Sequence, residues 1–285
     1  MKKYVIFNMV LSVALFLASC SNDVDFGEQY KKTVYIVNSN DMLYVGEHFF
    51  GAENDEIVIS VYCASSEPIT ESVRVRLKID RYAMDSLNAK SRLIDEEYID
   101  KVMLPETAYR LEGEPNLSIQ AGRQYGALRV PFNFSGLDPD VAYTLPFTLV
   151  SNSAGYEINS ELKSIVYEVK MINRFSGEYS GSSQESATRV VGVQPVLKAL
   201  SVNTVRLPAH NSETDFMILT VASDGVSVSI APVGNAKVTD LGGSKYYPEL
   251  QQFELYYTYV NANVETLSVT EIITNVNAPK TNEDE

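Results

Sequence analysis

The chain has 285 residues and a formal charge of −14. With 45% hydrophobic and 21% charged residues it carries enough apolar side chain for one or two packed cores, which excludes a globally disordered protein. The excess of acid reaches −16 once residues 1–19, with Lys2 and Lys3 and no acid, are set aside; with no basic stripe to replace phosphate counterions, nucleic acid is excluded as a partner.

Residues 1–19 have the parts of an export signal. Lys2 and Lys3 give a positive start, residues 4–17 are mostly apolar, and the small residues Ala18 and Ser19 follow. The apolar run is shorter than a membrane span, which needs about 20 residues. Leu17-Ala18-Ser19-Cys20 resembles the bacterial lipobox, and the resemblance implies cleavage before Cys20 and acylation of that residue. Two or three acyl chains anchor stably where one does not. Residues 20–32 then form a lipidated start and a polar tether, of which each ten extended residues reach about 30 Å. Asp23 and Asp25 resemble the acidic signal that sends lipoproteins of Bacteroides-like bacteria to the outer face of the outer membrane. The expected location is the outer membrane, lipid-anchored and facing the exterior.

From Thr33 the pattern is β. Residues 33–37 and 42–45 are short strands, and in 57–63 Ile57, Ile59, Val61 and Cys63 share one face. Cys63 reads as a small buried hydrophobe, and with Cys20 acylated it has no disulfide partner. Val73, Val75, Leu77 and Ile79 alternate with Arg74, Arg76 and Lys78; strands at 125–132, 143–150 and 165–171 follow. Pro131 and Pro146 fall inside strand runs, and because proline has no N–H to donate, each is expected at an edge or a bulge. Residues 80–103 break the pattern. Leu87, Leu93, Ile94, Tyr98, Ile99 and Val102, set among charges, predict one or two short helices stopped by Pro105. Asp95-Glu96-Glu97 is expected as a solvated helix face.

Residues 173–177 mark a boundary, after which a second series of short strands begins. They fall at 189–193, 197–201, 204–207, 216–222, 226–230, 237–241, 253–260 and 267–274. Asp224-Gly225 is a strong hairpin signal between two of them. Close spacing of so many strands predicts a meander closing into a barrel or a small sandwich, with residues 278–285 as a disordered tail.

Several segments occur in a familiar order. They are the 73–79 strand and its helix, Leu104-Pro105 with Tyr109, and the Ile119-Gln120-Ala121-Gly122 turn. Tyr143-Thr144-Leu145-Pro146-Phe147 and Ile158-Asn159-Ser160 complete the set. The order resembles the N-terminal domain of Bacteroides-type surface lipoproteins, domain-of-unknown-function family 1735, over about residues 30–172. That resemblance implies an immunoglobulin-like sandwich. The opening from Phe175 to Gly181 is similar to the start of a lipocalin-like β domain. The expected fold is therefore all-β: an immunoglobulin-like sandwich with a short helical insertion over 33–172, then a lipocalin-like barrel or small sandwich over 173–277. The family resemblance further implies an outer-membrane protein associated with glycan uptake, and it brings no catalytic residues with it.

The residues themselves carry little catalytic chemistry. His48 and His210 are the two histidines, and neither has a close partner at metal-ligand spacing; both are expected in loops, with no metal and no cofactor implied. Leu241-Gly242-Gly243-Ser244 lacks the lysine and helix of a phosphate loop. No serine stands in a nucleophile-elbow motif. For sugar binding the useful groups are exposed aromatic rings, and Tyr246, Tyr247 and Tyr256 are the candidate contacts. In the 253–259 strand Phe253, Leu255, Tyr257 and Tyr259 share one face, expected to be core, and Tyr256 takes the other. Asp85-Ser86-Leu87 resembles the O-glycosylation acceptor of this bacterial group, with Ser86 the candidate site. The leading expectation is a non-catalytic surface lipoprotein that binds polysaccharide or assists an outer-membrane uptake complex. The alternative is an adhesin or fimbrial-type subunit; against maturation after an early arginine, the first arginine is Arg74.

Overall fold

The computed structural model describes residues 30–278, apart from 54, 135 and 187–188. Cys20, the residues around it and most of the C-terminal tail lie outside the described residues. The fold is all-β, and its apolar side chains collect into two main cores. One runs from Val34 to Val169 and the other from Phe175 to Ile273.

The first core is the filling of a sandwich. In chain order its strands are β1 (Thr33–Ile36), β2 (Leu43–Phe49), β3 (Glu56–Ala64), β4 (Val73–Ile79), β5 (Val102–Met103), β6 (Asn116–Ile119), β7 (Tyr125–Pro131), β8 (Tyr143–Asn152), β9 (Glu157–Ile158) and β10 (Ser164–Ile172). One sheet runs β7-β3-β1-β9; the other runs β2-β10-β8-β4-β6, with β5 added on β8. Alternation does the sorting: Ile57, Ile59, Val61 and Cys63 are buried on β3, and Val73, Val75 and Leu77 on β4. Pro131 ends β7, an edge strand, where no ladder bond is lost. Pro146 departs from expectation, because β8 lies between two neighbours. It sits where one side of β8 passes from β4, whose pairing stops at Ile79–Phe147, to β5, which reaches only Thr144.

The helical insertion is one helix, α1 (Arg81–Arg92), laid on the β2-β10-β8 sheet through Ala83, Met84 and Leu87 against Val166. No second helix forms. Asn88 fixes the returning chain instead: its side chain accepts from Lys101 N at 2.9 Å and from Tyr98 Oη at 3.1 Å, and donates to Lys101 O at 3.0 Å. Leu93 and Ile94, expected on an apolar helix face, lie in a turn with 88% of their surface exposed. Asp95, Glu96 and Glu97 are solvated as expected, but in turns rather than on a helix.

The second core fills a nearly closed barrel. Its strands are β11 (Gly177–Ser186), β12 (Arg189–Val193), β13 (Val196–Ser201), β14 (Thr204–Pro208), β15 (Phe216–Val221), β16 (Val228–Pro232), β17 (Val238–Asp240), β18 (Lys245–Tyr247), β19 (Gln252–Val260) and β20 (Thr266–Asn275). The order is β16-β15-β14-β13-β11-β20-β19-β17, with β12 on β11 and β18 on β19. The Asp224 carboxylate accepts Val226 N and Ser227 N, and Gly225 takes φ +73°, making the predicted β15–β16 turn. The seam closes through Val228 N to Ser244 O at 3.1 Å, Tyr246 N to Val226 O at 2.7 Å and Ile230 N to the Asp240 carboxylate at 3.0 Å. Gly181 is needed where β11 crosses β20: a Cβ there would stand 1.9 Å from Ile272 O.

The two units meet at Asn173. Its Nδ2 donates to Ser201 O at 2.6 Å and Thr204 O at 3.0 Å, while its Oδ1 accepts Phe175 N at 2.9 Å. Asp140, from the loop before β8, pairs with both Lys198 and Arg206 of the barrel. Between the units lies a cleft of about 690 Å³ lined by Glu47, Lys170, Glu178, Asn275 and their neighbours.

Candidate functional site

The strand register of β18 and β19 decides which tyrosines reach solvent. Tyr246 pairs with Phe253, Lys245 with Glu254, and Tyr247 with Gln252. Successive residues of a strand face opposite ways, so Tyr246 and Tyr247 cannot share a face. Tyr246 is 5% exposed and packs edge-on against Phe175 at 5.0 Å and against Phe253 at 4.7 Å. Its expected role as a ligand contact is corrected: the ring belongs to the barrel core, and burial raises its pKa. Phe253, Leu255, Tyr257 and Tyr259 are buried together, as expected from their shared face.

Tyr247 and Tyr256 are on the outer face, half-buried, and they converge on one carboxylate. Tyr247 Oη donates to Glu254 Oε2 at 2.6 Å, and Tyr256 Oη donates to Glu254 Oε1. The Tyr247 bond, then the Tyr256 bond, holds the Glu254 carboxyl below its ordinary value, and Glu254 in turn raises both phenols. The backbone here is fixed from behind. Tyr256 N donates to Ser244 Oγ at 3.0 Å, and Leu241 N to Tyr256 O at 3.1 Å. The intervening Gly242 and Gly243, at φ +75° and +84°, turn β17 into β18. The pair of rings with a carboxylate between them is therefore pre-oriented on a strand, not carried on a loop.

Of the two histidines expected in loops, His210 lies in the turn after β14, whereas His48 stands inside a strand. His48 is on β2, 2% exposed, with Nδ1 2.9 Å from Asp55 and Nε2 3.1 Å from Tyr167 Oη. His210 opens a second polar cluster inside one end of the barrel. Its Nε2 is 2.7 Å from Glu185 Oε1 and its Nδ1 2.7 Å from Ser183 Oγ. A carboxylate only accepts, so Nε2 donates to Glu185. The order serine–histidine–acid is that of a nucleophile with its base, but Ser183 has no exposed surface for a substrate to reach. Next to it, His210 N donates to Tyr257 Oη at 2.9 Å, and Tyr257 Oη donates to Glu271 Oε2 at 2.6 Å. Glu271 is fully buried, its Oε1 has no partner, and burial pushes its pKa up to about 7. Among the described residues no group of three or more His, Cys, Asp or Glu is placed to hold a metal ion.

Neither cluster is legible in the sequence, because Tyr167 lies 119 residues from His48 and His210 lies 27 from Ser183. What period-2 alternation does give is the exclusion of either Tyr246 or Tyr247. Ser86, the candidate modification site, is half-buried on α1. Cys63 is buried on β3.

One family model, for an N-terminal domain, matches residues 30–155, and its C-terminal companion matches residues 163–274. The chain belongs to this two-domain family. Solved structures similar to it are of Bacteroides proteins. One from Bacteroides ovatus, of unknown function, has a TM-score of 0.62 at 13% identity, over 90% of this chain and 98% of that one. Another, a Bacteroides ovatus multidomain protein including domain of unknown function 1735, has a TM-score of 0.59 at 13% identity, over 87% and 93%. A third, described as an auxiliary nutrient binding protein from Bacteroides thetaiotaomicron, has a TM-score of 0.53 at 15% identity, over 82% and 91%. At such identities the likeness is one of fold. No curated protein matches the chain in sequence.

Proposed function

We propose that this protein is a non-catalytic, lipid-anchored protein of the outer membrane that faces the exterior and binds glycan, alone or beside an uptake complex. The observation that carries the reading is the Tyr247–Glu254–Tyr256 face: two solvent-reaching rings held on either side of a carboxylate by their own hydroxyls. Aromatic rings stack on the C–H faces of pyranoses, and a fixed carboxylate accepts from sugar hydroxyls. The lipobox-like Leu17-Ala18-Ser19-Cys20 and the acids Asp23 and Asp25 support the location. A fold neighbour described as a nutrient binding protein agrees with the role. The sealed position of Ser183 favours a non-catalytic reading.

Affinity electrophoresis through gels containing single polysaccharides tests it. The wild-type protein is retarded by at least one, and the paired substitutions Tyr247→Ala and Tyr256→Ala abolish that retardation while the fold stays intact by circular dichroism. Migration unaffected by every polysaccharide would remove glycan binding as the function.

A further inference from the structure

The hydrogen-bond donors of the Tyr247–Glu254–Tyr256 face are already committed. Both phenol hydroxyls give their protons to Glu254. A phenol oxygen can still accept after donating, and an ionised carboxylate offers about four acceptor sites, of which the tyrosines fill half. The face therefore presents acceptors to solvent, centred on a negative charge and flanked by two rings. Glu254 keeps that charge into acid, because the two phenol bonds hold its pKa down. Lys245, its cross-strand partner on β18, acts in the same direction more weakly; it is exposed on the same face and sets one positive charge beside the carboxylate, which the two phenol oxygens and Glu254 outnumber as acceptors. On the other side Ile272, paired with Glu254 across β19 and β20, is 39% exposed and adds an apolar flank.

Resting on the glycan-binding reading, we infer that this face selects neutral sugars presenting adjacent hydroxyl donors and rejects sugars that carry carboxylate or sulfate. A vicinal diol places one hydroxyl on each Glu254 oxygen while the C–H face of the ring lies against Tyr247 or Tyr256. An anionic sugar brings a like charge to Glu254 and replaces a donor with an acceptor, so the face meets it with repulsion and unpaired groups.

The test uses the full mature chain and five probes: mannan, dextran and xylan as neutral polysaccharides, polygalacturonate and chondroitin sulfate as acidic ones. The wild type is retained by a neutral probe and not by either acidic one. Glu254→Gln puts an amide donor where an acceptor was and removes the charge. It weakens neutral retention about tenfold, the scale expected for losing charge-assisted bonds, and raises acidic retention. Tyr247→Phe with Tyr256→Phe keeps the rings but frees Glu254, and also lowers neutral retention. Glu161→Gln, which removes the same charge from an exposed site on the sandwich, changes neither. Tighter retention on acidic than on neutral probes, or neutral retention indifferent to Glu254→Gln, overturns the inference and leaves glycan binding standing. No retention on any of the five overturns the glycan-binding reading itself.

Discussion

Glu271 should make the barrel lose stability as the pH rises, and Glu271→Gln should abolish that loss. The side chain is fully buried on β20, with Tyr257 donating to one oxygen and nothing to the other. Desolvation raises its pKa from 4.5 to about 7, the Tyr257 bond opposing it. In the unfolded chain the group ionises at its ordinary value, so between the two values only the folded state holds the proton. The stabilisation is complete below pH 4.5, declines as the pH rises and is gone above about pH 7. At about 1.4 kcal/mol for each pH unit between the two values, the whole effect is on the order of 3 kcal/mol. A glutamine at 271 is neutral at every pH. The difference in unfolding free energy, variant minus wild type, should therefore grow by about 2 kcal/mol from pH 5 to pH 7 and then level off. Urea unfolding at pH 5, 6, 7 and 8, followed by near-ultraviolet circular dichroism of the tyrosines, measures it. Parallel profiles for the two proteins would show that Glu271 ionises alike in both states and would refute the reasoning.

Three further outcomes follow from other parts of the molecule. Gly181→Ala places a methyl 1.9 Å from Ile272 O, inside the β11–β20 crossing, and should cost the barrel about 2–3 kcal/mol in thermal or urea unfolding. A loss below 0.5 kcal/mol, to order of magnitude the scale of an ordinary surface change, would show that the strands can part there. Asp140→Ala removes the acid shared by Lys198 and Arg206, and because Arg206 is only 14% exposed, its unpaired guanidinium should cost about 1–3 kcal/mol in urea unfolding. The angle between sandwich and barrel should also broaden in small-angle scattering; an unchanged profile would show that Asn173 alone sets it. Cys20→Ala should move the protein from the membrane fraction to the soluble fraction, and a variant that stays membrane-bound would rule out the lipid anchor.

Alternation made most of the sandwich legible. The buried face of β3, from Ile57 to Cys63, and that of β4, from Val73 to Leu77, can be read residue by residue, because a half-buried strand writes its register as period 2. The Asp224-Gly225 turn was equally plain, since its chemistry is local. Of the one or two short helices expected in the insertion, one forms. Leu93, Ile94 and Ile99 have helical spacing, but Asn88 captures Lys101 and ends the helix early, a tertiary contact that no window of sequence reveals. Pro146 is tolerated inside β8 for a related reason: β4 stops at Ile79–Phe147, which is a property of the neighbour. Of the three tyrosines named as contacts, two reach the surface and Tyr246 does not. Glu254, the residue that organises them, was one of 37 acids, and only the register of β18 on β19 singles it out. The Ser183–His210–Glu185 cluster joins two residues of β11 to a histidine in the turn after β14, 27 residues from Ser183, and nothing local marks that meeting.

Hydrogen–deuterium exchange in the presence of oligosaccharides from a retained polysaccharide locates the binding surface on the molecule. Binding at the proposed face slows exchange in residues 245–247 and 252–260 and leaves the cleft between the units unchanged. Protection confined to that cleft, around residues 139–142 and 168–178, would contradict the account.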